Sequence, residues 1–274
     1  MSVIIKIKKV VKGLSILIKN PWLLNILLKE DEQWWKKLEK DYQVQQPLPT
    51  ISFQTLFPNF RETINCFSFL GGGSLPTDIA LLMGLSKRFE KCKYFEIGTW
   101  RGESVYNVAG LAEECHTLNL SKEQILELGL SSKYADLHGL FSKKNPKINH
   151  HFGDSRYFDY EKLNQSFDLI FIDGDHTFDF VKNDTQKVFD HLIHEKSIVV
   201  WHDYAYNPEK SRPEVFAGIL AGLPKDLPGN LYHVANTMCA IYLPEKLPSQ
   251  QLVLPVKPTH VFQVEIKQRE VDEL

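Results

Sequence analysis

Two short runs, Phe171-Ile172-Asp173-Gly174-Asp175-His176 and Trp201-His202-Asp203-Tyr204, carry the densest set of chemically capable side chains in the 274-residue chain. Each follows an apolar stretch, residues 167–172 and 197–201, of the kind that fills a buried parallel strand. Adjacent parallel strands would bring Asp173 close to His202 and Asp203 at one edge of a sheet. Two carboxylates and one imidazole, open to water, suit Mg²⁺ or Mn²⁺ better than metals that prefer soft ligands. A plainer reading has Asp175 and His176 capping the next helix and His202 packing on Trp201. For Asp175 we adopt the cap, and for Asp173 and Asp203 the metal.

A second chemical signal is the string from Lys93 to Ser104, Lys93-Tyr94-Phe95-Glu96-Ile97-Gly98-Thr99-Trp100-Arg101-Gly102-Glu103-Ser104. A short apolar run that suits a buried strand meets the acid Glu96, then two glycines four residues apart, then a helix-like segment over 103–114. A strand turning through glycine into a helix leaves backbone N–H groups facing the space above the strand end, and glycine lets a ligand approach the main chain. The spacing is not the dinucleotide fingerprint G-x-G-x-x-G. Glu96 also argues against a pyrophosphate, because two anions would face each other. It fits a ligand with a cationic end, such as the ammonium and sulfonium of S-adenosylmethionine. The alternative is a tight strand–helix turn with no ligand. Glu96, Asn119, Asp154, Asp173 and Asp203 each close an apolar run; Asp154 alone reads equally as a cap, but five such residues in succession are hard to explain as turns.

These residues need a scaffold that lines up strand ends. Strands are predicted at the run before Gly98 and over 115–120, 148–152, 167–172 and 197–201, followed by two closely linked strands, 231–235 and 238–243, one of which must run antiparallel. Helices fall between them: 78–91 capped by Thr77, 133–141, and one capped by Thr177 reaching about residue 193. Ser121-Lys122-Glu123-Gln124 and Ser211-Arg212-Pro213-Glu214 read as capping boxes. Such alternation gives an α/β, doubly wound seven-stranded sheet with the last strand pair antiparallel, whose ligands sit beyond the carboxyl ends of the strands. An N-terminal helical arm and linker cover 1–70, the sheet domain 71–245 and a tail 246–274. Residues 43–58 of the arm read as a proline-rich linker, and Gly71-Gly72-Gly73-Ser74, at the start of the sheet domain, as a lid hinge or a tolerant loop.

In order and spacing, the Phe95–Ser104 string, Gly153-Asp154-Ser155, Phe167–His176 and Trp201–Tyr204 resemble a class I, Rossmann-like S-adenosylmethionine-dependent methyltransferase over residues 75–243. The resemblance is to the small-molecule and sugar O-methyltransferase group, including macrolide-sugar and cephalosporin-biosynthesis methyltransferase-like proteins. It implies that Glu96 and the turn holding Gly98, Thr99, Gly102 and Ser104 take the methionine end of the cofactor. It places Asn119 at the ribose, where an acid is usual, and Asp154 with Ser155 at the adenine. Asp173, also a cofactor contact, would join His202 and Asp203 in holding Mg²⁺ or Mn²⁺, with His202 standing where a second acid is common. Asp173, His202 and Asp203 become the catalytic set, and His202 or Asp173 the proton acceptor.

The reaction implied is methyl transfer to a hydroxyl of a small molecule, sugar or glycan. A metal-assisted hydroxylase-like enzyme on this fold, or a non-catalytic binding protein, are the alternatives. A net charge of −2 and a pI of about 6.6 give no basic field for nucleic acid. Four cysteines without a C-x-x-C pair point to a reducing compartment. With no membrane-length apolar run and no cleavage site in view, the expected location is the cytoplasm. The first 20 residues hold five lysines and no acid, in a predicted helix with Lys8, Lys12, Ser15 and Lys19 on one face and Ile7, Val11, Leu14 and Ile18 opposite. Asn20-Pro21 would stop it and start a second helix through Trp22, Leu23, Leu27, Trp34 and Trp35. Such a basic amphipathic helix lies on an anionic membrane or packs on its own domain or a second subunit, and a homo-oligomer is expected.

Overall fold

The computed structural model describes residues 3–21, 30–227 and 230–271. The chain divides into two compact units, residues 1–45 and 46–274. In the first, the helix Val3–Lys19 is closed by Asn20, whose backbone and side-chain N–H groups both donate to the Ile16 carbonyl, at 2.9 and 3.1 Å. The expected helix through Trp22, Leu23 and Leu27 lies outside the described residues; Trp34 and Trp35 fall on the helix Glu30–Tyr42.

The second unit is built on a sheet. Its strands are β1 (Thr50–Ile51), β2 (Lys93–Ile97), β3 (Glu114–Asn119), β4 (Ile148–Phe152), β5 (Leu169–Ile172) and β6 (Ile198–Trp201), then β9 (Leu231–Val234) and β10 (Ala240–Tyr242). Between them β7 (Ala205–Asn207) and β8 (Lys210–Ser211) pair only with each other. The sheet order is β1-β9-β10-β6-β5-β2-β3-β4. Every pairing is parallel except those of β10, which runs antiparallel to both β6 and β9. These are the seven expected strands in a Rossmann-like arrangement, with β1 added at the edge.

β1 corrects the linker reading of residues 43–58, as does the short helix Phe53–Leu56. Prolines suggested a linker, but an edge strand tolerates proline because its outer N–H groups are not needed. The Pro49 carbonyl accepts from His233 N at 2.9 Å, and Thr50 exchanges two backbone hydrogen bonds with Gln250, at 2.7 and 3.0 Å. A piece of the predicted tail therefore shields the edge.

Helix starts show where local reading holds and where it fails. The Ser121 box forms: Gln124 N donates to Ser121 Oγ at 3.2 Å and Ser121 N to Gln124 Oε1 at 2.9 Å. The second box does not. Ser211 is spent in β8, the helix Pro213–Gly222 begins after Arg212, and Glu214 Oε1 accepts from Phe178 N at 3.2 Å on another helix. The helix predicted over 78–91 runs Pro76–Ser86 and is preceded by Leu75, not Thr77. Only Ser132–Ala135 is helical in the segment predicted as 133–141. Thr177 stands before Phe178–His191 without a side-chain cap bond; Asp175 Oδ1 instead accepts from Thr177 N at 2.8 Å.

Strand side chains alternate between two buried layers. Tyr94, Leu169, Phe171, Val200 and Ile241 join Leu81, Leu82, Leu85, Val105 and Val108 from helices Pro76–Ser86 and Glu103–Ala109. On the opposite face Trp201 stacks 6.2 Å from Phe189 and donates to Thr185 Oγ1 at 2.8 Å. Each buried aliphatic or phenylalanine side chain contributes about 1.5–3 kcal/mol to the core. Because Trp201 faces one layer, its neighbour His202 faces the other, where its ring lies 5.9 Å from Phe171. His202 does not pack on Trp201.

Candidate active site

Strand register places the site. Ile97 pairs with Ile172 and with Leu118, and Ile172 pairs with Trp201. The residues that follow, Gly98, Asn119, Asp173 and His202, therefore form one row across four adjacent strand ends. The ladder continues into that row: Asp173 N donates to Ile97 O at 2.8 Å, His202 N to Ile172 O at 3.0 Å and Gly98 N to Leu118 O at 2.9 Å.

Gly98 has a φ of +98°, and a Cβ there would lie 1.9 Å from the Asp173 carbonyl. Its glycine is fixed by the fit between the ends of β2 and β5, before any ligand is considered. The turn is braced further on. Thr99 Oγ1 meets Thr117 Oγ1, Gly102 N donates to Thr99 O at 2.7 Å, and the Trp100 and Arg101 carbonyls accept from Gly139 N and Phe141 N at 2.5 and 2.9 Å. The buried Arg101–Glu103 pair, 3.2 Å apart, ties down the glycine segment. Arg101 donates to Gly71 O and Leu70 O at 3.1 and 3.3 Å, and Glu103 Oε1 accepts from Ser68 N at 2.6 Å.

Glu96 is fully buried beneath this turn. Tyr94 Oη and Ser104 Oγ donate to its Oε2 and Thr117 Oγ1 to its Oε1, at 2.8, 2.8 and 2.9 Å. Burial pushes its pKa up to about 8 despite these three hydroxyls, with Asp173 adding to the rise. Glu96 and Ser104 are satisfied within the core and brace the turn from below.

Asp173, His202 and Asp203 come together as the sequence predicts. One oxygen from each carboxylate and one imidazole nitrogen lie within 4.8 Å of one another. His202 Nδ1 is 3.0 Å from Asp173 Oδ1 and 3.3 Å from Asp203 Oδ2, yet it is aligned for a hydrogen bond with neither. On its far side Nε2 lies 3.1 Å from Asp78 Oδ2; a carboxylate only accepts, so Nε2 carries the proton. Burial opposes a charge on His202, but Asp173, Asp203 and Asp78 together outweigh it and hold the imidazole well above its ordinary pKa. Burial raises Asp173, tempered by His202. Asp203 is lowered because its contacts with His202 and the nearby His176, 3.6 Å away, outweigh burial.

The remaining predicted residues stand apart from this cluster. Asn119 Nδ2 donates to Leu120 O and to His138 Nδ1, both at 2.9 Å, while His138 Nε2 is buried without a partner. Asp154 is gripped by Arg156, with Nε to Oδ1 at 3.0 Å and Nη2 to Oδ2 at 2.6 Å, which holds its carboxyl below the usual range. Ser155 follows, its carbonyl accepting from Tyr160 Oη at 3.2 Å. Sequence reasoning missed Asp78, His138 and Arg156. For Asp78 a signal existed: it is the lone acid beside the apolar run Ile79-Ala80-Leu81-Leu82-Met83.

Residues 95–204 match a family model described as a methyltransferase domain. No curated protein matches the chain. Among solved structures, the chain is similar to the methyltransferase PaMTH1 of Podospora anserina, crystallised with SAH: 17% identity, 62% of this chain and 80% of that one covered, TM-score 0.46. The Bacillus cereus O-methyltransferase in complex with SAH gives 17% identity, 63% and 82% coverage and a TM-score of 0.45. TomG of Streptomyces achromogenes, an O-methyltransferase involved in tomaymycin synthesis and solved with SAM, gives 14%, 62% and 81%, and 0.41. The strand order is that of a doubly wound, Rossmann-like sheet, and the residues that match the methyltransferase-domain model lie within it.

Proposed function

We propose that this protein transfers a methyl group from S-adenosylmethionine to a hydroxyl of a small molecule or sugar, assisted by Mg²⁺ or Mn²⁺ held by Asp173, His202 and Asp203. The observation that carries the metal is His202 Nδ1: buried, without an aligned hydrogen bond, and set between two carboxylate oxygens while Asp78 holds Nε2. A ligating histidine characteristically has its other nitrogen fixed by a carboxylate in this way. Two oxygens and one nitrogen suit a hard or borderline dication.

S-adenosylmethionine supplies the methyl group as an electrophilic sulfonium, and the cation supplies a Lewis acid beside the acceptor oxygen. The chain's own residues do the positioning. The turn from Gly98 to Gly102, braced by Glu96, Ser104 and the 139–141 segment, fixes the methionine side, and Asn119 with the unpartnered His138 Nε2 offers polar groups to the ribose. Asp154 and Ser155 flank the adenine end. Holding donor and acceptor in line accounts for much of the rate. Of the two expected proton acceptors, His202 has Nε2 held by Asp78 and Nδ1 assigned to the cation, which leaves a carboxylate oxygen of Asp173 for the proton.

Calorimetric titration with S-adenosylmethionine, with and without Mg²⁺ or Mn²⁺, tests cofactor and metal separately. Binding of both, and methyl transfer that EDTA abolishes, is the expected result. Methyl transfer undiminished by EDTA would remove the metal. A failure to bind S-adenosylmethionine at all would remove the reaction and favour a non-catalytic role.

A further inference from the structure

We propose that the helix Val3–Lys19 binds an anionic lipid surface, lying in the plane of the interface. At 3.6 residues per turn, Ile7, Val10, Val11, Leu14 and Ile18 fall within an arc of roughly 100°. Lys9 and Lys12 lie on the opposite side, with Ile5 and Ile16 between them, and Lys8 and Lys19 stand between Lys12 and the arc. Among the described residues the apolar arc is 56–81% exposed, residue by residue, and forms a stripe along the helix.

Charge chooses the occupant. The helix holds five lysines and no acid, in a chain whose net charge is −2. A second copy of this helix laid against the stripe would bring five more lysines with no acid to answer them. An anionic bilayer answers both features at once, since the apolar arc sinks to the boundary of the acyl chains while the lysines reach phosphate and carboxylate headgroups. Among the described residues no helix is long and apolar enough to cross a membrane, so the contact is peripheral. This inference does not depend on the reaction proposed above.

The test mixes the full chain with sedimenting vesicles of phosphatidylcholine alone, or of phosphatidylcholine doped with phosphatidylserine. The expected result is retention on the anionic vesicles only, weakening as salt is raised. Each neutralised lysine should weaken partitioning about five-fold, so Lys8→Gln, Lys12→Gln and Lys19→Gln together should weaken it by on the order of 100-fold. Leu14→Asp, which cuts the apolar arc, should also abolish retention. Both variants should keep the natural protein's thermal unfolding, so a loss of retention reports on the helix. Retention that is equal on both vesicles, or absent from both, would overturn the proposal. So would a concentration-dependent dimer in sedimentation velocity that Leu14→Asp dissolves, since the stripe would then belong to a second copy.

Discussion

His202 Nε2 and Asp78 Oδ2 stand 3.1 Å apart, both side chains buried, and this contact joins the first turn of the helix Pro76–Ser86 to the end of β6. Asp78 is itself held from three sides. Leu75 N donates to Oδ2 at 2.6 Å, and Met238 N and the Cys239 thiol donate to Oδ1 at 2.8 and 3.6 Å. A carboxylate so constrained can fix both the orientation and the tautomer of the imidazole, turning Nδ1 toward Asp173 and Asp203.

Asp78→Asn should therefore weaken metal binding without touching the metal. Loss of an outer carboxylate of this kind typically costs 10–100-fold in affinity, and that is the range expected for Mn²⁺ by calorimetry. The variant also loses acceptor capacity for Leu75 N, so a stability loss of about 1–3 kcal/mol should appear in chemical denaturation. Unaltered Mn²⁺ affinity in a folded Asp78→Asn protein would reduce the contact to a structural one.

Metal binding should release a proton. Because three carboxylates raise His202 in the metal-free protein, a cation must displace its proton. Apparent affinity should then climb with pH through a window above the pH 6–7 of an unperturbed imidazole. Mn²⁺ titrations at pH 7 in two buffers of different ionisation enthalpy measure this directly. Release of about one proton per ion is expected, and no release would take His202 out of the coordination sphere. Asp203→Asn should weaken binding at every pH, a neutral amide oxygen being a poorer ligand for a hard dication.

Glu96 makes a pH prediction about stability. Its folded pKa of about 8 lies above its ordinary unfolded value, so between the two the folded chain holds a proton that the unfolded chain has lost. Its contribution is fully present below the unfolded pKa and is lost as pH rises through about 8. Stability should fall by up to about 1.4 kcal/mol per pH unit over that window. In Glu96→Gln, an uncharged side chain of similar shape, denaturation midpoints should lose this part of their slope. Parallel pH profiles for the two proteins would show that Glu96 titrates normally.

How far the sequence reached follows from the physics of each residue. The Asp173–His202–Asp203 cluster was legible because parallel strands are apolar runs, and the first polar residue after each must lie at the sheet edge. Asp78 was legible only as a lone acid beside an apolar run; its pairing with His202 was not, since that depends on how a helix packs over that edge. β1 was hidden by prolines that an edge strand tolerates. Gly98 was recognised as a special position for a different reason from the one the structure gives. Read as room for a ligand, it is needed because β5 occupies the space its side chain would fill, so Gly98→Val is expected to disturb the fold as well as the site. Glu214 shows the limit of local pattern: its capping-box spacing is correct, but Phe178 N offers the better-placed donor.

Asn119→Asp tests the ribose end of the site against these surroundings. A carboxylate could add a charge-assisted bond to a sugar hydroxyl, a gain of about 1 kcal/mol over a neutral one. It would also lose both donations of the amide, to Leu120 O and His138 Nδ1, and set a negative charge against that carbonyl. His138, held below its ordinary pKa by burial, would be raised by the new carboxylate and would pair with it once protonated. The expected outcome is a small change in S-adenosylmethionine affinity near pH 8, and a loss toward pH 6 that the natural protein lacks, as His138 competes with the ribose for the carboxylate. Calorimetric titrations at pH 6, 7 and 8 on both proteins measure it. A pH-independent gain of about five-fold, the full ~1 kcal/mol, would mean that the two amide donations contribute nothing. An equal loss at every pH would place the ribose elsewhere and leave Asn119 as a brace for the 137–144 segment.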